Sequence, residues 1–109
     1  MKGLLAAALF LASAPAFAGW GAIACNLQDA QCRASQNYTF YSEAVNNALA
    51  ACGPGCQLMN WENNECIAVA IGGGTFGRAQ GFYDAYSADQ AALNACGNPE
   101  CVVIRTACD

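Results

Sequence analysis

The chain has 109 residues, with four Lys and Arg side chains against eight Asp and Glu side chains, and no histidine. Binding to DNA, RNA or an anionic membrane draws its affinity from clustered basic side chains, so this acidic composition argues against nucleic-acid partners. Nucleophilic catalysis by Ser or Cys usually relies on a neighbouring His base, so the composition disfavours that chemistry as well.

Residues 1–18 have the pattern of a secretory signal peptide. Lys2 supplies the positive start, residues 3–12 are apolar, and Ala16-Phe17-Ala18 is an A-x-A cleavage site. The apolar stretch is shorter than the ~20 residues that a transmembrane helix needs. A lipoprotein anchor would require a cysteine directly after the cleavage site, and none stands there. We therefore expect a soluble, secreted or periplasmic domain of residues 19–109, without a membrane span.

The cysteine content predicts a disulfide framework. An even number of cysteines in a short exported chain is typical of such a framework, and so small a domain gains little stability from its core alone. The cysteine spacings do not fit a zinc site, which favours C-x2-C pairs or histidine, and no metal or other cofactor is predicted. The site residues that we predict are therefore structural: Cys25, Cys32, Cys52, Cys56, Cys66, Cys96, Cys101 and Cys108.

The predicted domain contains two copies of one sequence unit. Residues 48–53 (ALAACG) match residues 92–97 (ALNACG), and in both copies a proline and then a cysteine follow. Upstream, residues 22–24 resemble residues 68–70. Duplication of one unit is the economical explanation for these matches.

Each unit is predicted to fold as strand, strand, helix, strand. Tyr41-Ser42 aligns with Tyr86-Ser87, and the two serines are expected to be helix N-caps, while Gly53 and Gly97 end the helices. The sum is a disulfide-rich α+β domain, in which a mainly antiparallel sheet carries two helices on one face. The strands are expected, in chain order, at residues 20–25, 38–41, 58–61, 66–71, 80–83 and 101–106.

The repeat also favours one disulfide connectivity. Equivalent cysteines follow the two helices, so the halves are expected to make equivalent local bridges, and the remaining cysteines form a clasp and a longer bridge. Other connectivities stay open, including bridges from the helix ends to a strand. The expected pairs are Cys25 with Cys32, Cys52 with Cys56, Cys96 with Cys101, and Cys66 with Cys108.

A family resemblance is carried by several short segments, residues 20–24, 48–52, Cys56, 66–70, 81–83 and 96–103. These segments resemble DUF4189, a bacterial family of domains of unknown function. The resemblance covers nearly the whole predicted domain and implies an exported, compact, duplicated fold. It implies no activity and supplies no catalytic residue, because none is assigned to the family. The resemblance leads us to expect a plain hairpin turn at residues 25–32, and the sequence of this segment departs from that expectation.

Two carboxylate pairs are candidates for glycoside hydrolysis by their spacing, Glu62 with Glu65 and Asp84 with Asp89. The first pair flanks two asparagines in a predicted polar turn, and the second brackets a helix start, where carboxylates favour the helix dipole. The structural interpretation is preferred for both, so the protein is predicted not to be an enzyme. Residues 72–75 (GGGT) lack the lysine of a phosphate loop and are predicted to form a hairpin turn.

Aromatic side chains are many for so small a domain. Core packing is the expected role of most rings, whereas exposed rings would form a binding surface. The predicted function is a non-catalytic binding or interaction module for an envelope or extracellular protein or glycan. The rings concerned are Trp20, Tyr38, Phe40, Tyr41, Trp61, Phe82, Tyr83 and Tyr86.

Two alternative functions stay open. One is a periplasmic inhibitor or immunity-like protein that blocks a hydrolase, and the other is a carbohydrate-active enzyme. Structural features separate the three classes of protein. An inhibitor should present a protruding loop, an enzyme a cleft with paired carboxylates, and a glycan binder a flat row of aromatic rings.

Overall fold

The computed structural model describes residues 19–109, so the predicted signal peptide, residues 1–18, lies outside the described residues. The order of elements repeats strand, strand, helix, strand, as predicted. We call β1 to β3, with α1, unit 1, and β4 to β6, with α2, unit 2. The elements of the described range are β1 (Trp20–Asn26), β2 (Gln31–Tyr38), α1 (Tyr41–Cys52), β3 (Gln57–Asn63), β4 (Cys66–Gly72), β5 (Thr75–Phe82), α2 (Ala85–Cys96) and β6 (Val102–Cys108).

The strands form two antiparallel sheets of three strands, one from each unit. β1 lies between β2 and β3, and β4 lies between β5 and β6. The predicted antiparallel α+β class is confirmed, and the structure divides the sheet in two. The physical reason is that both central strands are buried along their length, so each sheet needs cover on both faces.

Large aliphatic residues and alanines alternate along the central strands, so the two faces of each sheet pack differently. Large aliphatic side chains point inward and form the core between the two sheets. Alanines point outward against alanines of the helices, so each helix lies close to one face of its own sheet. The layers therefore follow the order α1, sheet, sheet, α2. The inner core contains Ile23, Met59, Ile67, Val69 and Ile71, and the outer contacts involve Ala22, Ala24, Ala44 and Ala48 in unit 1 and Ala68, Ala70, Ala88 and Ala92 in unit 2.

The two units also match in the irregularities of their backbones. Met59 in β3 and Ile104 in β6 are each the extra residue of a β-bulge opposite the central strand. Asn37 in β2 and Gly81 in β5 lie at a second bulge, and both have a positive φ angle. Because bulges disrupt a strand ladder at specific places, their recurrence at equivalent positions supports the duplication.

All eight cysteines are paired in disulfides, and the connectivity is the one that the repeat favours. Two bridges join residues that lie directly opposite each other on neighbouring strands, and the other two close the turn after each helix. The cross-strand bridges are Cys25–Cys32 and Cys66–Cys108, and the turn bridges are Cys52–Cys56 and Cys96–Cys101.

Neither predicted serine is an N-cap. In unit 2 the cap is Asp84, whose carboxylate accepts a hydrogen bond of 2.7 Å from the backbone N–H of Ser87. In unit 1 Phe40 holds the cap position, and within residues 19–109 no side chain caps the helix; Ser42 lies inside its first turn. The prediction is wrong because a carboxylate precedes the serine in unit 2 and reaches the free N–H groups first.

The second strand of each unit begins and ends earlier than predicted. The strand expected at residues 38–41 is wrong beyond its first residue, because Tyr41 already begins α1. Similarly, β5 starts at Thr75 and pairs with β4 along most of its length. Both helices have 12 residues, so Tyr41 aligns in the structure with Ala85 rather than with Tyr86.

Two arginines tie the sheets together through main-chain carbonyl groups. Arg78 of β5 donates a hydrogen bond of 2.8 Å to the carbonyl of Met59 in β3. Arg105 of β6 donates one of 3.1 Å to the carbonyl of Cys32 in β2. Each bond joins an edge strand of one sheet to an edge strand of the other, which fixes the relative position of the sheets.

Candidate functional site

An aromatic cluster lies on the outer face of unit 1, at the start of α1. It consists of Trp20 from β1, Tyr41 from α1 and Trp61 from β3. The ring centroids of Trp20 and Tyr41 are 5.4 Å apart, and those of Tyr41 and Trp61 are 6.0 Å apart. The ring planes meet at 77° and 81°, an edge-to-face arrangement that the ring quadrupoles favour.

Strand pairing positions the two tryptophans of this cluster. In the register of β1 with β3, Trp61 lies opposite Ala22, and Trp20 lies opposite Asn63. Alternate residues of a strand point to the same face, so Trp20, Ala22 and Trp61 all lie on the side that α1 covers. Tyr41 is the first residue of α1 and fills the space between the two indole rings.

Rings of the aromatic cluster remain accessible. Tyr41 is 40% exposed, Trp61 is 39% exposed, and the neighbouring Phe40 is 62% exposed. In β3 the usual pattern is reversed, because the polar side chains of Asn60 and Glu62 are buried whereas Trp61 between them is exposed. Adjoining exposed aromatic rings on a small protein are typical of an interaction surface.

Unit 2 has no copy of this cluster at the equivalent positions. Cys66 stands where unit 1 has Trp20, and Thr106 stands where it has Trp61. The cysteine is bonded to Cys108, and the hydroxyl of Thr106 donates a hydrogen bond of 2.6 Å to Asp89 on α2. Tyr83 and Tyr86 are exposed near the start of α2. The edge-to-face aromatic cluster is therefore a property of unit 1.

A buried pair of carboxyl groups lies on the inner face of the same sheet. Glu62 follows Trp61 in β3, and Asp109 follows β6; they are 3% and 6% exposed. Glu62 Oε1 accepts a hydrogen bond of 2.7 Å from the N–H of Glu65, and Asp109 Oδ2 accepts one of 3.1 Å from the N–H of Asn37. When both groups are ionised, Glu62 Oε2 and Asp109 Oδ1 have no hydrogen-bond partner within the described part of the chain.

Burial raises the pKa of Glu62 to about 8, and the hydrogen bond and negative charge of Asp109 act in the same direction. The N–H of Glu65 opposes this rise in pKa, because it stabilises the ionised form. The raised pKa keeps Glu62 protonated at neutral pH, because the negative charge of Asp109 repels a second carboxylate beside it.

Gly21 makes room for the carboxyl pair. A Cβ atom on this residue would lie 2.5 Å from Oε2 of Glu62 and 2.9 Å from Oδ2 of Asp109. Both distances are too short for non-bonded atoms, so any other residue at this position would push the carboxyl groups away. The two carboxyl groups can therefore meet because β1 has no side chain at this point.

The structure gives different contacts to the members of the two carboxylate pairs predicted from spacing. Glu62 faces Asp109, and it contacts Glu65 through the backbone N–H of that residue. Asp84 caps α2, whereas Asp89 accepts a hydrogen bond from a hydroxyl on β6. The polar turn is also shorter than predicted, since β3 continues to residue 63.

A groove of about 570 Å³ lies at the other end of the sheets. It is bounded by the four-residue turn between β1 and β2 and by the hairpin between β4 and β5. Leu27, Ile71 and Phe76 give it an apolar lining. Gly73 and Gly74 form the predicted hairpin turn, and both have positive φ angles, 59° and 79°, as a two-residue type I′ turn requires.

Among residues 19–109, no group of three or more His, Cys, Asp or Glu side chains is placed to hold a metal ion. The two helices of this range have 12 residues each, and neither is long and apolar enough to cross a membrane.

No curated protein and no solved structure matches the chain. One family model does match, and its description is "Domain of unknown function (DUF4189)". The match covers residues 20–108, which include both units, the aromatic cluster and all four disulfides. The chain therefore belongs to the DUF4189 family.

Proposed function

We propose that this protein is a non-catalytic binding module, exported to an oxidising compartment, and that the aromatic cluster contacts its partner. The carrying observation is that Tyr41 and Trp61, beside Phe40, are exposed while their rings pack edge to face in one cluster. Such rings anchor interfaces because they bury a large area at low conformational cost. Four disulfides in so small a domain support export.

The ring geometry favours an envelope or extracellular protein over a glycan as the partner. Sugar rings stack on flat rows of aromatic faces, whereas the rings of the aromatic cluster meet at 77° and 81°. Ring edges and faces together form an uneven surface, which suits the varied side chains of a protein. The partner surface is expected to be basic, because residues 19–109 hold three arginines against eight carboxylates.

The position of the buried carboxyl pair supports a non-catalytic role. Glu62 has the raised pKa that is typical of a general acid, but its side chain is only 3% exposed and lies between two sheets. A general acid must come within hydrogen-bond distance of its substrate. Glu62 would reach a substrate only if β1 and β6 separated, so a structural role fits it better.

The test compares partner binding by the oxidised protein and by two variants. Trp61→Ala removes one exposed ring of the aromatic cluster, and Tyr86→Ala is the matched control because Tyr86 is 72% exposed but lies on unit 2. Each immobilised protein is incubated with an envelope extract, and the retained proteins are identified and their affinities measured. We expect Trp61→Ala to weaken binding by more than about tenfold and Tyr86→Ala to leave it unchanged.

Two outcomes would contradict the proposal. Equal retention of the partner by all three proteins would exclude the aromatic cluster as the interface. Retention of an envelope polysaccharide, with no protein dependent on Trp61, would assign a glycan ligand instead. Circular dichroism of each variant shows whether the fold is intact, so that lost binding is not confused with unfolding.

The turn between β1 and β2 favours a second candidate, a hydrolase inhibitor. Residues 28–30 are exposed, and the Cys25–Cys32 bridge holds the base of the turn. Within it the side chain of Asn26 accepts hydrogen bonds from the N–H groups of Gln28 and Asp29. A turn ordered before binding loses little entropy when it enters a cleft. Assays of envelope hydrolases with the wild type and Asp29→Ala test this candidate, since an inhibitor should lose potency with the turn variant.

A further inference from the structure

The aromatic cluster and the carboxyl pair lie on opposite faces of the same two strands. Trp20 and Gly21 are neighbours in β1, and Trp61 and Glu62 are neighbours in β3. In the register of these strands, Gly21 lies directly opposite Glu62. Consecutive residues of a strand point to opposite faces, so a shift of the Glu62 backbone moves the Trp61 ring on the other face.

Every charged group that faces Glu62 is acidic within the described part of the chain. β6 is followed by Asp109, and the turn before β4 provides Glu65. β2 contributes the N–H of Asn37, while β1 contributes only Gly21. The guanidinium groups of all three arginines hydrogen-bond to main-chain carbonyls at other places. A second negative charge in the pair would therefore meet no compensating cation.

We propose that the Glu62–Asp109 pair is a proton-controlled clasp that sets the geometry of the aromatic cluster and, through it, the affinity of the binding surface. This inference rests on the proposed function for its effect on binding. With one proton, the Glu62 carboxyl group donates a hydrogen bond to Asp109, which holds the end of β6 against β1 and β2. When solvent takes the proton, the two carboxylates repel each other, Asp109 separates from Glu62, and Trp61 moves with its neighbour.

The position of the transition follows from the environment of the clasp. Burial and Asp109 raise the pKa of Glu62 from 4.5 to about 8. The clasp is thus closed in acidic and neutral surroundings and opens in mildly alkaline ones. Binding through the aromatic cluster is expected to change over the same range of pH.

Tryptophan emission tests the clasp without any ligand. The protein has two tryptophans, Trp20 and Trp61, and both belong to the aromatic cluster. Emission of the oxidised protein is recorded between pH 5 and pH 9.5, a range chosen to span the pKa of about 8. We expect a one-proton transition with a midpoint near 8 in the wild type. Glu62→Gln, which keeps the size of the side chain but cannot ionise, is expected to abolish it.

Two further variants separate the clasp from other titrations. Asp109→Asn removes the neighbouring negative charge and is expected to move the midpoint to lower pH. Glu43→Gln, which removes an exposed carboxyl group of α1 outside the pair, is expected to leave the midpoint in place. If Glu62→Gln does not fold, the shift in Asp109→Asn still decides the proposal.

Some outcomes would overturn the clasp. Flat emission of the wild type across its expected transition, or an unchanged midpoint in Asp109→Asn, would show that the pair does not control the cluster. A transition that persists in folded Glu62→Gln would do the same. These readouts need no partner, so failure of the proposed binding function would leave them unaffected and the two proposals are tested separately.

Discussion

Units 1 and 2 share one backbone plan but use the same position for different purposes. In unit 1 Trp20 and Asn63 stand opposite each other at the open end of the sheet, and the tryptophan contributes to the aromatic cluster. In unit 2 the equivalent residues are Cys66 and Cys108, which form a disulfide. The difference teaches that the same position supports an exposed surface in one copy of the duplicated unit and a disulfide in the other.

The largest expected effect on the free energy of unfolding concerns the Cys66–Cys108 disulfide, which has no equivalent in unit 1. Replacing both Cys66 and Cys108 by alanine opens a loop of sequence separation 42, whereas the same change at Cys52 and Cys56 opens one of 4. The chain-entropy model gives losses of about 4 and about 2 kcal/mol in the free energy of unfolding. Chemical denaturation of the two double variants measures the difference, and equal losses would contradict the model.

Peptide mapping without reduction is the control for that experiment. It should recover a peptide that links Cys66 to Cys108 and local peptides that contain the other pairs. A cross-link between Cys52 and any residue other than Cys56 would reject the symmetric arrangement of the two units.

The second prediction concerns the distance between helix and sheet. A Cβ atom on Gly77 of β5 would collide with the backbone of Ala92 and Cys96 in α2, whereas the equivalent residue in β2, Arg33, has an exposed side chain. We expect Gly77→Ala to lower the free energy of unfolding by about 3 kcal/mol, because the helix must move away. Arg33→Ala should change it by less than about 0.5 kcal/mol. Similar values for the two variants would show that the helices approach their sheets equally.

The third prediction concerns the pH dependence of stability, which should come from unit 1. Its inner face holds Glu62, whereas unit 2 has the apolar Ala107 at the equivalent position. The pKa of Glu62 is about 8 in the folded protein and 4.5 without its surroundings. Between these values the folded protein keeps a proton that the unfolded chain has lost. The free energy of unfolding should therefore fall as pH rises through this window, by at most about 1.4 kcal/mol per pH unit for this group.

Denaturation of the wild type and Glu62→Gln at several pH values measures this effect. The variant should show a flatter dependence and should exceed the wild type in stability by about 2 kcal/mol at the alkaline end of the window. Parallel curves for the two proteins would mean that Glu62 has an ordinary pKa in the fold.

The smallest expected effect concerns the helix caps. Asp84 caps α2, whereas Phe40 holds the same position in unit 1 without a cap bond. Asp84→Ala should destabilise the protein by about 1 kcal/mol, and Phe40→Asp should stabilise it by up to about 1 kcal/mol. Thermal unfolding of both variants tests the pair, and a loss of stability in Phe40→Asp would indicate that the phenyl ring contributes packing.

Local signals in the sequence predicted most of the fold. Gly53 and Gly97 follow the ends of the two helices as expected, and both have positive φ angles that suit glycine. The apolar central strands and the Gly73-Gly74 turn were also recognisable, because short-range steric preferences determine them. The division into two sheets was not predicted, since it depends on the packing of buried strands against residues that are distant in the sequence.

The candidate site was harder to predict, for a physical reason that β3 illustrates. Its polar Asn60 and Glu62 point inward and its Trp61 points outward, so the usual hydrophobic alternation suggests the wrong face. Glu62 also pairs with Asp109, which is distant in the sequence and comes next to Glu62 only through tertiary packing. One signal lies in the register of the strands, because Gly21 stands opposite Glu62 and leaves space for its carboxyl group.

The aliphatic face between the two sheets has a consequence for the origin of the fold. A single unit would leave residues such as Ile23 or Ile67 uncovered, and three strands with one helix cannot hide them. A half-length ancestor would have needed a second copy of itself, joined as a two-fold dimer. The short turn of residues 64–65 now links the halves in one chain, so their association no longer depends on protein concentration.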